Sequence, residues 1–133
     1  MKLIGICSRE RRAAREAPYI EVKVGGKKGI FRIDTGSDLT VIPEEIFPVN
    51  SPIVKELNTR LSSGDVYRRD TFKVPLKIGE VSFDLLEGVF TTTSEIGFLG
   101  LDILRSFRFT LEGERYTLEL LSEKQPVEGN SDV

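Results

Sequence analysis

The chain has 133 residues, 39% of them hydrophobic and 30% charged, with a net charge of -2, which fits one soluble globular domain with a single core and gives no electrostatic reason to expect a nucleic-acid partner. It has no His, no Trp and one Cys, Cys7, so imidazole acid-base chemistry, Ser-His or Cys-His nucleophiles and the usual zinc sites are excluded from a single chain, and carboxylates are the main reagents left. The apolar run Leu3 to Cys7 is too short for a signal-peptide core or a membrane span and is followed at once by Arg9, Glu10, Arg11 and Arg12, which with the lone thiol favours a reducing, cytoplasmic setting.

In chain order, residues 1–17 read as an N-terminal strand and a charged linker. Cys7 reads as a small apolar residue of that strand. The body runs from 18 to 121, and most of its signal has a period of two. Tyr19, Ile20, Val22 and Val24 alternate up to Gly25-Gly26, a dipeptide suited to a hairpin turn, so a hairpin is expected from about residue 18 to 34. Its second arm, Gly29 to Ile33, delivers Asp34 into a turn, and Thr40-Val41-Ile42 resumes an extended run until Pro43. A second, longer hairpin is expected from Ile53 to Leu61 and from Val66 to Ile78, across Ser62-Ser63-Gly64-Asp65. Val81 to Leu85 and Gly88 to Phe90 supply a further strand with room for a bulge. Gly97-Phe98-Leu99-Gly100 then opens Leu101 to Phe107, whose apolar spacing is helical. A last hairpin pairs Phe107 to Leu111 with Tyr116 to Leu121, and residues 122–133 read as a disordered tail.

The chemistry centres on Ile33-Asp34-Thr35-Gly36-Ser37-Asp38, where a carboxylate stands at the end of an apolar strand. The Asp-Thr-Gly unit occurs once. If Asp34 is catalytic, its partner carboxylate comes from a second copy. The plainer reading is a polar turn, since Asp, Gly and Ser are ordinary turn residues.

Two ordered motifs favour the catalytic reading. The strand, hairpin and acid from Pro18 to Pro43, followed by Phe98-Leu99-Gly100-Leu101-Asp102-Ile103-Leu104, resemble the retropepsin-like aspartic peptidases over roughly residues 18 to 110. The resemblance implies an all-β, closed-barrel domain with one short helix and one lobe per chain. It also implies a homodimeric aspartic endopeptidase acting on extended peptide or protein segments, with no metal, cofactor, nucleic acid or membrane. Asp34, Thr35 and Gly36 would form the catalytic unit. Thr35 would bond across the two-fold axis, and Gly36 would let backbone approach the acids. Ser37 and Asp38 would contact substrate, and a Ser37 hydroxyl donating to the carboxylates would move activity to lower pH. Ser62, Ser63, Gly64, Asp65 and Val66 would form a flap over the substrate, with fewer glycines than retroviral flaps. Asp102 would cap the helix or bond the active loop rather than act as a second acid.

Leu101 and Ala17 stand where retroviral enzymes place basic residues, so a different dimer contact is expected. The Leu99-Gly100-Leu101-Asp102 segment is closer to cellular members such as the protease-like domain of DNA-damage-inducible ubiquitin-shuttle proteins. The Phe107 to Leu121 hairpin, with Met1 to Cys7, is expected to form much of the dimer interface. The alternative is a catalytically silent module of the same fold that binds a peptide or dimerises.

Overall fold

The computed structural model describes residues 1–9, 16–48, 53–60 and 66–121. The expected linker at 10–15, the expected tail at 122–133 and the hairpin tip at 61–65 lie outside them. Ten strands are present among the described residues: β1 Lys2–Ile6, β2 Tyr19–Val24, β3 Lys27–Ile33, β4 Val41–Pro43, β5 Ile53–Arg60, β6 Val66–Ile78, β7 Val81–Thr92, β8 Gly97–Leu99, β9 Phe107–Glu112 and β10 Arg115–Leu120. One short helix, α1 Leu101–Leu104, and a 3₁₀ turn at Glu44–Ile46 complete the described elements. No helix among the described residues is long and apolar enough to cross a membrane.

The alternation in β2 follows from its side chains, with Tyr19, Ile20, Val22 and Val24 buried and Glu21 and Lys23 exposed. Gly25 and Gly26 take φ of 56° and 92°, a left-handed pair open to glycine without steric penalty, so β3 returns directly beside β2. A seven-stranded sheet runs in the order β2-β3-β8-β4-β7-β6-β5. The sheet curls until β2 also pairs with β6, with Lys23 opposite Lys77 and Val24 opposite Leu76. The fold is thus all-β, one lobe per chain, around a core that includes Val22, Phe31, Ile42, Leu76, Leu99 and Ile103. The expected irregularity in the long β6–β7 ladder is present as register shifts between Phe72 and Val74 and between Val74 and Leu76.

The helix is shorter than the spacing of Leu101, Leu104 and Phe107 suggests. Phe107 instead opens β9 and buries its ring against the core, 6.1 Å from that of Phe83. A separate three-stranded sheet, β1-β10-β9, packs one face on this core through Phe107, Tyr116 and Leu118. The terminal hairpin therefore folds back on its own chain. Removing residues after Leu111 would strip two buried side chains from the core, so such a deletion would cost folding as well as any interface.

Tyr116 ties the two sheets together. Its hydroxyl donates to the Tyr19 carbonyl at 2.7 Å, and its ring lies over Gly5, where a Cβ would collide with it. Burial raises the Tyr116 phenol above its ordinary value of 10.0, and nearby Cys7 adds to the effect. The folded state thus retains this proton where the unfolded chain releases it. The associated stability is complete below the unfolded value of about 10 and is lost as pH rises through the raised folded value. Urea midpoints measured against pH are expected to fall in that alkaline window. Tyr116→Phe is expected to cost roughly 1–2 kcal/mol at neutral pH and to flatten the alkaline fall.

Candidate active site

The site is set by where β3 ends. β8 lies between β3 and β4, parallel to the first and antiparallel to the second, so the chain leaving Ile33 must pass over β8 before it resumes at Val41. Residues 34–40 make that passage. Asp34 is still attached to the sheet, its N–H donating to the Leu99 carbonyl at 3.0 Å. Two bonds then close the turn. The Gly36 N–H donates to Asp34 Oδ1 at 3.0 Å, and the Ser37 N–H donates to the Asp34 carbonyl at 3.2 Å. A Cβ at Gly36 would approach Asp34 Oδ1 to 3.3 Å, so a larger residue here would press on the carboxylate. Asp34 is half-buried, while Thr35, Gly36 and Asp38 are exposed in the single chain.

The second motif clamps this loop from behind. Leu101 and Asp102 donate their N–H groups to the carbonyls of Ser37 and Asp38 at 2.8 and 3.2 Å. The Asp102 carboxylate accepts from the Thr40 N–H at 3.1 Å, from the Thr40 hydroxyl at 2.7 Å and from the Ile103 N–H at 2.8 Å. Thr40 Oγ1 in turn accepts from the Gly100 N–H at 3.1 Å. Asp102 therefore bonds the loop, while Gly100 is the N-cap of α1 and provides no side-chain cap.

Thr40 is the member of this network that the sequence reading missed. It is fully buried, and its signal was a lone hydroxyl inside the apolar run Leu39 to Ile42. Gly100 has a steric reason of its own: a Cβ there would meet the Leu39 carbonyl carbon and oxygen at 2.6 Å and the Ser37 carbonyl oxygen at 2.8 Å. Backbone atoms cannot step aside as a side-chain tip can. Gly100→Ala is expected to displace residues 37–39 and to destabilise the chain by about 1–3 kcal/mol, read from the denaturant midpoint.

Ser37 departs from expectation. Its hydroxyl donates to the Leu39 carbonyl at 2.7 Å, not to a carboxylate. A hydroxyl has one proton to give. In the single chain this hydroxyl therefore supplies no bond that would shift the optimum to lower pH. The structure brings Asp34, Thr35, Gly36, Ser37 and Asp38 together in one loop. Of the residues expected to form a flap, Val66 begins β6, opposite Arg60 at the end of the antiparallel β5; Ser62, Ser63, Gly64 and Asp65 fall outside the described residues. Among the described residues, no group of Cys, Asp or Glu is placed to hold a metal ion.

Comparison with known proteins meets this geometry from outside. A solved structure of a retropepsin-like aspartic protease from Rickettsia conorii is similar, with a TM-score of 0.58 and 22% identity over 90% of this chain and 93% of that one. At that identity the likeness concerns the fold. Among curated proteins, no match was found. Residues 14–112, a span containing both the Asp34 loop and the segment that clamps it, match the model of the retroviral aspartyl proteases. The chain belongs to the retroviral aspartyl protease family.

Proposed function

We propose that two copies of the chain form an aspartic endopeptidase whose dyad consists of the Asp34 carboxylate from each. The observation that carries this reading is the single acid presented by β3 and tied at its backbone to Leu99 and at Oδ1 to Gly36. Neither bond uses Oδ2. Two such carboxylates within a few ångströms cannot both ionise, so they share one proton. The ionised member takes a proton from a bound water as the water attacks the scissile carbonyl. The protonated member donates to the oxygen on which charge develops. No covalent intermediate is needed, and a residue can sit beside its own copy only on a two-fold axis.

The exposure of Thr35 and Gly36 fits a loop that meets its copy on that axis. Ser37, Asp38 and the hairpin tip from Ser62 to Val66 would hold an extended peptide by main-chain contacts. The part of the terminal hairpin free to join the dimer is the outer edge of β9. This edge has no partner strand among the described residues, follows α1 closely and carries Leu111, 52% exposed.

The reading is tested by assaying a mixed peptide library from about pH 3 to 8 with wild type and Asp34→Asn side by side. Cleavage by wild type alone is expected. Equal turnover by both proteins would exclude Asp34 as the acid.

A further inference from the structure

The three-stranded sheet has a second face, turned away from the core. Strand register sorts its side chains into three rows across β1, β10 and β9. Lys2, Glu119 and Arg108 form the first, Ile4, Thr117 and Thr110 the middle, and Ile6, Arg115 and Glu112 the third. Ile4 is 62% exposed and Ile6 59%, adjacent on one face of an edge strand. Opposite charges stand beside one another within the outer rows, yet among the described residues no ion pair joins them.

We propose that this face stacks on the same face of a second copy, about a two-fold axis running along the middle row. Such an axis reverses the strand direction while keeping each strand over its own copy. The first row then lies over the third. Glu119 faces the partner's Arg115, Arg108 faces the partner's Glu112, and each relation occurs twice by symmetry. Ile4 meets its own copy, and the aliphatic stem of Lys2 covers Ile6. The other in-plane axis, along β10, would set Glu119 and Arg115 each against itself and Lys2 against Arg108. Like charges would then meet at each of these pairs, and Glu112 would face Ile6, so the charge pattern selects the first arrangement.

Sheets stacked face to face sit about 10 Å apart with strands aligned within about 30°, a spacing that Arg and Glu side chains span. A foreign partner of one charge sign has little to recognise here, because both signs alternate across the face. Three short strands bury less than a standard interface of about 1,600 Å², so the contact is weak for single chains. It strengthens when chains already come in pairs, each pair presenting the face twice.

Sedimentation equilibrium of the full chain over a range of concentrations tests this. The double substitution Arg115→Glu with Glu112→Arg keeps opposite charges adjacent across β10 and β9 within the chain but sets like against like between copies. At high concentration wild type is expected to reach at least twice the mass of this variant. Adding Glu119→Arg and Arg108→Glu is expected to restore the larger species. Ile4→Asp, at an exposed position, carries the same expectation as the double variant should the latter fail to fold by circular dichroism. Equal masses for wild type and either folded variant would overturn the proposal, as would failure of the four-fold variant to recover the larger species. The inference does not rest on the peptidase reading, since the mass difference between wild type and variants is expected whatever the smaller unit is.

Discussion

Mixing Asp34→Asn chains with wild type at constant total protein is expected to lower peptidase activity as the square of the wild-type fraction. At an equal mixture about one quarter of the activity should remain, because a symmetric pair requires its acid from both members. The variant alone is expected to lose about 10²–10⁴-fold in kcat, the usual worth of a positioned acid or base. Asparagine keeps the shape of the turn and can still accept from Gly36 at Oδ1, so the loss reports chemistry rather than folding. Activity at about one half in the equal mixture, after subunit exchange is complete, would mean that each chain works alone and would contradict the shared dyad.

Asp102→Ala is expected to be the most damaging change outside the proposed dyad. It would leave the Thr40 N–H and hydroxyl without their acceptor in a position with no access to water. Each unmet buried donor costs about 1–3 kcal/mol, so a loss of roughly 2–5 kcal/mol is expected from the urea midpoint. Asp102→Asn should fall between, since an amide offers one acceptor oxygen where three donors now converge. Because Asp102 acts through the loop and not on the peptide, the surviving folded fraction of Asp102→Asn should show reduced kcat with KM nearly unchanged. A raised KM with unchanged kcat would instead assign Asp102 to peptide binding.

Local signals made much of this legible in sequence. The β2–β3 hairpin could be read because alternation and Gly25-Gly26 are contiguous, and the acid's place at the end of β3 followed from them. The pairing of β1 with β10 joins residues near opposite ends of the described chain, and nothing in either segment names the other. Thr40 and Asp102 stand 62 residues apart, so their bond was likewise unreadable from Thr40 itself. Apolar spacing through Leu101, Leu104 and Phe107 suits a longer helix equally well, and tertiary packing of the Phe107 ring decides for a strand. The Ser37 hydroxyl found a carbonyl two residues away, a local competitor of the kind that serine side chains commonly meet. The terminal hairpin had an unspent apolar face in sequence, and the core of the same chain absorbs its inner side.

The insertion of β8 between β3 and β4 has a kinetic consequence. The bonds that clamp the acid's loop from behind, such as Gly100 N–H to Thr40 Oγ1, span 60 residues and close only after β8 has been placed between β3 and β4. Such non-local pairing raises contact order, and the entropy of closing the long segment is spent before any of these bonds forms. The clamp on the Asp34 loop therefore belongs to the later steps of folding: before the chain extends past Asp102, the turn has its local bonds from Gly36 and Ser37 to Asp34 but lacks the support of the second motif.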